Sequence, residues 1–138
     1  METEDVVHVL RNVHGALVRR GLALNVHPLG LDFAVHAGAR GLGFVDASRF
    51  ARIVQAMDEV VARSIEEGLF EELESIRRHV AERFDAAAEA LEQADEWTNL
   101  RMPGAVRRRL REVADGPVEF VEAIRYRLLR KRAARSRR

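Results

Sequence analysis

Val6-Val-His-Val-Leu-Arg-Asn-Val-His-Gly-Ala-Leu-Val18, then Gly21 and Leu22-Ala-Leu-Asn-Val-His-Pro28, sets a helix directly before an apolar segment. Val6, Val9, Leu10, Val13 and Leu17 recur at helical spacing on one face, with Glu4 and Asp5 in the first turn, where the helix dipole favours anions, and Thr3 placed to cap it. A helix that stops at a glycine and feeds a short, nearly all-apolar strand reads as the αβ step of a parallel sheet buried on both faces. One such step is not a whole α/β domain, so the chain reads as the second half of one.

Composition bounds the rest. At 138 residues, 47% hydrophobic and 33% charged, the chain suits one domain, over residues 1–129, that buries roughly two-thirds of its unfolded surface. It has no cysteine, which excludes disulfides, thiolate metal sites and a cysteine nucleophile, and suits a reducing cytoplasm. No apolar run approaches the roughly 20 residues that span a bilayer, and the start Met-Glu-Thr-Glu-Asp is unlike a secretory leader, so a cytoplasmic protein without membrane contact is expected. The net charge of +1 hides an asymmetry: residues 1–129 hold 17 basic and 22 acidic groups, a net of −5, while residues 130–138 hold six basic groups and no acid. An acidic body carries a basic, disordered tail.

Downstream, the loop from Pro28 to Asp46 collects Gly30, Gly38, Gly41 and Gly43, at the carboxyl end of the strand where α/β sheets place ligands. A second helix follows, capped by Asp46 or Ser48, striped by Phe50, Ile53, Val54, Met57, Val60, Val61 and Ile65, and ended by Gly68. Residues 71–97 support two readings. Leu73, Ile76, Val80, Phe84, Ala88 and Leu91 keep helical spacing, yet Asp85 before an alanine run is a candidate fresh cap that leaves residues 76–84 to a strand. Val106, Leu110 and Val113 mark a short helix stopped by Gly116-Pro117. Val118, Phe120, Ile124, Tyr126 and Leu128 alternate with Glu119, Arg125 and Arg127, broken at Glu122, which predicts a strand with a wetter face near a sheet edge.

In detail, Val6 to Leu17 and Arg20-Gly-Leu-Ala-Leu-Asn-Val-His-Pro28 resemble the helix and fifth strand of class I S-adenosylmethionine-dependent methyltransferases, although Val18-Arg-Arg-Gly21 lacks the usual Pro-Gly. Asp58 to Phe70, Glu82-Arg-Phe-Asp85, Trp97 and the run from Val118 to Leu129 resemble the terminal helices and strands of small bacterial members. The resemblance implies an α/β fold: a partial Rossmann-like methyltransferase sheet of the C-terminal strands and helices only, with the last strand antiparallel at or near the edge. It also implies a strand near Arg78 to Arg83 and a helix from Ala86. The family's cofactor lies on a first βαβ unit, and no residue of that unit can be carried over. No cofactor is expected on the isolated chain; S-adenosylmethionine enters only through the resemblance, and the chain is expected to be inactive unless a partner completes it. A homo-oligomer or a complementary methyltransferase half is the expected partner, since a shortened sheet leaves strand edges open.

Asn25 and His27 at the end of the first strand, with His36 and Asp46 in the loop after it, border the region where the resemblance places the substrate. A histidine there suits a general base, its ordinary pKa lying near neutrality, and equally suits a histidine held by a loop carbonyl. Gly38-Ala-Arg-Gly-Leu-Gly43 reads GxxGxG, a flexible connection rather than a dinucleotide fingerprint. His8, His14 and His79 have no metal-ligand spacing. A second class of function, a small α+β nucleic-acid-binding or assembly protein, rests on Arg130, Lys131, Arg132, Arg135, Arg137 and Arg138, which can neutralise phosphates but carry no interleaved aromatic.

Overall fold

The computed structural model describes residues 3–113 and 116–133. In chain order they form α1 (Thr3–Ala16), β1 (Leu22–Pro28), β2 (Ala34–Ala37), β3 (Arg40–Phe44), α2 (Ser48–Glu66), β4 (Phe70–Phe84), α3 (Ala87–Asp95), α4 (Gly104–Glu112) and β5 (Val118–Lys131). The fold is α/β, a mostly antiparallel five-stranded sheet with four helices. The path is β1-β5-β2-β3, and β4 also pairs with β5. The last strand is therefore antiparallel as expected but internal rather than at the edge, because three strands bond to it. Leu29 N–H donates to Ala123 O and Lys131 N–H to Gly21 O, so β1 also runs antiparallel to β5. The chain divides into two compact units, residues 1–27, 53–77 and 125–138, and residues 28–52 and 78–124, where one domain over residues 1–129 was expected. The expected tail boundary falls inside β5, and Arg135, Arg137 and Arg138 lie outside the described residues.

In the first unit, α1 and α2 place Val6, Leu10, Val60 and Val61 against Phe70 and Leu129. β1 turns Ala23, Asn25 and His27 to partly buried positions, but Leu22, Leu24 and Val26 stand 54%, 62% and 47% exposed. The strand expected to be buried on both faces is covered on one. Thr3 is the first helical residue rather than the residue before it; its side chain lies outside the described set. α2 ends as its sequence predicts: Gly68 has φ 80°, and Leu69 N–H donates to Ser64 O.

In the second unit much of the glycine-bearing segment is folded as a hairpin rather than left as an open loop. Gly38 and Ala39 are the turn of a β2–β3 hairpin, Gly38 at φ 59°, with an irregular register between Val35 and His36. Gly43, at φ 128°, lies so close to α4 that a Cβ would stand 2.7 Å from Val106 Cγ2. The core gathers Phe33, Val35, Leu42, Phe84, Val106, Leu110 and Phe120. Phe33, Phe84 and Trp97 each place a ring 4.8–6.0 Å from that of Phe120, the spacing of favourable aromatic pairs.

For residues 71–97 the strand-then-helix alternative holds, and the strand begins earlier than Arg78. Asp85 does not cap α3; Ala86 occupies that place with no side-chain bond. Between its buried ends, Phe70 and Phe84, β4 is exposed on both faces, so nothing imposes strict alternation upon it.

Gly43→Ala is expected to destabilise the fold by about 2 kcal/mol, from the left-hand φ and the overlap with Val106 together, as a lower urea midpoint at unchanged slope. An unchanged midpoint refutes the close approach.

Candidate functional site

The strongest constellation of polar side chains in the first unit centres on Asp58 of α2, a carboxylate inside the helix's apolar stripe. His27 Nε2 of β1 stands 2.7 Å from Asp58 Oδ1. Arg125 of β5 donates through Nη1 to Asp58 Oδ2 at 3.1 Å, and Arg127 Nη1 lies 3.7 Å from Oδ1. Arg127 Nε faces Glu72 of β4 at 4.0 Å. These side chains are shielded: His27 is 12% exposed, Arg127 13% and Asp58 19%. The two guanidinium groups face two carboxylates, which offsets the cost of shielding these charges from water. Beside it the carbonyl oxygen of Asn25 is buried with no hydrogen-bond partner among the described residues.

A histidine held by a carboxylate is oriented as a general base must be. Asp58 is shared with two arginines, however, and none of the cluster's members carries a hydroxyl, thiol or amine nucleophile. The arrangement is suited to tying α2 to the sheet through charge-assisted contacts.

Of the residues expected around the substrate, Asn25 and His27 stand two apart on the covered side of β1. His36 and Asp46 belong to the second unit. His36 lies on β2 opposite Gly41 of the hairpin. Asp46 holds the start of α2: Oδ1 accepts from Ser48 Oγ at 2.7 Å and Ser48 N–H at 3.2 Å. Its backbone bridges to Arg101, whose guanidinium lies 3.4 Å from Oδ2. Ser48, through its hydroxyl and then its N–H, and Arg101 more weakly, hold the Asp46 carboxyl below its usual range. Asp46 also lines a shallow hollow of about 250 Å³ with Ser48, Arg49, Thr98, Asn99 and Arg101. Glu122, the break in the β5 alternation, shifts the other way: burial, then the negative charge of Glu82, push its carboxyl up.

Asp58, Arg125 and Arg127 were not singled out by sequence. Their signal was a carboxylate at the i+4 position from Val54 and i−3 from Val61, within an apolar stripe, and arginines alternating with the apolar residues of β5.

Among the described residues, no group of three or more histidine, aspartate or glutamate side chains is placed to hold a metal ion. No helix among them is long and apolar enough to cross a membrane. No protein-family model, curated protein or solved structure matches the chain.

Asp58→Ala leaves Arg125 without its carboxylate and Arg127 with Glu72 alone, and is expected to cost about 2–4 kcal/mol, read by denaturant unfolding. A loss below about 0.5 kcal/mol, typical of a surface site, refutes the central role of Asp58. At Asp46 the lowered pKa fixes the sign. The carboxylate favours the folded state above the ordinary aspartate pKa, and that contribution fades as pH falls through the lowered value. The stability gap between the wild type and Asp46→Asn is therefore expected at neutral pH and should close in acid; a gap independent of pH contradicts the cap.

Proposed function

We propose that this chain is a methyltransferase-like C-terminal part, without the family's cofactor-binding half, that works by assembling on another chain. The supporting observation is the outer side of β1. In a finished α/β sheet a strand reading Leu-Ala-Leu-Asn-Val is covered on both faces. Here Leu22, Leu24 and Val26 are about half exposed or more, while Ala23, Asn25 and His27 lie on the covered side. Adjacent exposed apolar side chains on a regular strand suit a surface that another chain covers. β4 ends at Phe84, inside the Arg83-Phe84-Asp85 step, and α3 follows Ala86, an order compatible with the one the resemblance implies, although the sheet is mostly antiparallel rather than parallel.

The residues present do not fit S-adenosylmethionine. The glycine cluster, Gly38 to Gly43, is spent on a hairpin turn and on contact with Val106, and it leads into a strand rather than opening a helix. No methyl transfer is derived for the chain alone. The covering partner is a second copy or a complementary methyltransferase half. Cofactor chemistry belongs to the latter case.

Calorimetric titration with S-adenosylhomocysteine, run beside a solution mass, tests this reading. No heat is expected from the chain alone, together with a mass above one chain or complex formation with a complementary half. Leu24→Lys is expected to return a self-assembled chain to one-chain mass with its helical circular dichroism intact. Micromolar binding by a single chain overturns the proposal, and so does a lone chain that neither self-associates nor accepts a complementary half.

A further inference from the structure

The turn after α1, the turn after α2 and the end of β5 meet in the first unit around a groove of about 510 Å³. Arg19, Arg20, Arg130, Lys131 and Arg132 line it, opposed only by Glu67 and Glu71 among the charged lining residues. Backbone bonds set the cations in place: Lys131 N–H donates to Gly21 O at 2.8 Å, and Arg132 N–H to Leu69 O at 3.0 Å. Lys131 is occupied, its Nζ donating to Leu17 O at 2.9 Å. The four arginines, by contrast, form no ion pair among the described residues, although two glutamates line the same groove.

Arg20 carries a second, independent signal. Its φ is 61°, a left-handed conformation that costs an ordinary L-residue energy and glycine none. The next residue, Gly21, could not bear a side chain, because a Cβ there would meet Val18 O at 2.8 Å. The turn thus keeps an arginine where a glycine fits more easily, and Arg20 lines the groove. Strain held at a charged residue beside a cationic concavity points to a ligand.

We propose that this groove binds the phosphodiester backbone of a single-stranded nucleic acid. The cations come from separate turns and a strand end, so the site exists before the ligand arrives. Arg130 and Arg132, two residues apart on an extended chain, are about 6.8 Å apart along it, a repeat comparable with successive phosphates of an extended strand. No aromatic side chain lines the groove, so bases are not stacked there and recognition is independent of sequence. A concave cationic patch on a body whose residues 1–129 carry a net of −5 concentrates its field on a narrow polyanion rather than a flat bilayer.

Anisotropy of a fluorescein-labelled 12-nucleotide oligothymidine, titrated with the full chain over a potassium chloride series, tests the proposal. Contacts to three or four phosphates predict a slope of log Kobs against log salt of about −2 to −3. Arg20→Gly is expected to weaken binding about three- to tenfold and to make the slope shallower by about 0.7, with no fall in thermal midpoint, since glycine relieves the left-handed turn. The double variant Arg130→Ser with Arg132→Ser is expected to weaken binding further. The proposal is overturned if the oligonucleotide does not bind, if Arg20→Gly binds it like the wild type, or if removing residues 134–138 alone abolishes binding. It also fails if phosphatidylserine vesicles or inorganic phosphate, at equal phosphate, displace the oligonucleotide as effectively as unlabelled oligothymidine.

Discussion

The first unit depends on one carboxylate. Asp58 projects from the buried stripe of α2 and meets His27 of β1 and Arg125 of β5, with Arg127 just beyond hydrogen-bond distance. An apolar residue at that position would bury more carbon surface but would leave Arg125 without countercharge and Arg127 with Glu72 alone, which is costlier than the area gained. Once Asp58 is fixed, the phase of β1 is fixed with it. His27 and Asn25 must face α2, and a strand's period of two then sends Leu22, Leu24 and Val26 to the other side. The open apolar face is thus a consequence of the polar cluster. It also explains why a strand that looks entirely buried in sequence is only half covered.

The helices and the last strand were legible because they rest on local rules. The stripe of α2, its Gly68 end and the short helix after Pro103-Gly104 agree with the structure, whereas Ala47 rather than Asp46 or Ser48 precedes the first residue of α2 and the expected alternation of β5 holds only through Phe120. The break at Glu122 was also real. Buried positions in β5 are even-numbered through Phe120 and odd-numbered from Ala123, so the strand changes its buried phase at that point. Pairing was not legible. An apolar five-residue strand carries no mark that tells a parallel neighbour from an antiparallel one, and the hairpin of β2 and β3 was hidden in what reads as a glycine-bearing loop. β4 misled for a related reason: exposed on both faces along most of its length, it is free to carry Leu73, Ile76 and Val80 at helical spacing.

The candidate site was half legible. His27 belongs to the central polar cluster and Asn25 stands two residues away on the same side of β1, whereas His36 and Asp46 belong to the other unit, Asp46 accepting the Ser48 N–H at the start of α2. The residues that complete the cluster come from elements far apart in sequence, and only the fold shows which of the many arginines meets which carboxylate. The basic residues at the end of the chain were legible as charge but not as a site. Arg130 and Lys131 are strand residues, and the groove they line draws Arg19 and Arg20 from a turn near the other end of the sequence.

The proposed assembly requires the outer side of β1 to be covered. Methyl-labelled spectra recorded with a soluble paramagnetic agent over a range of chain concentrations test it directly, with the buried Val61 as an internal reference. For self-assembly, Leu22, Leu24 and Val26 signals are expected to be strongly attenuated when dilute and to become protected as the concentration rises, while Val61 is protected throughout. If a partner half is required, the same protection should appear only on its addition. Attenuation of the three residues that persists at every concentration and with every partner supplied would rule out assembly through β1.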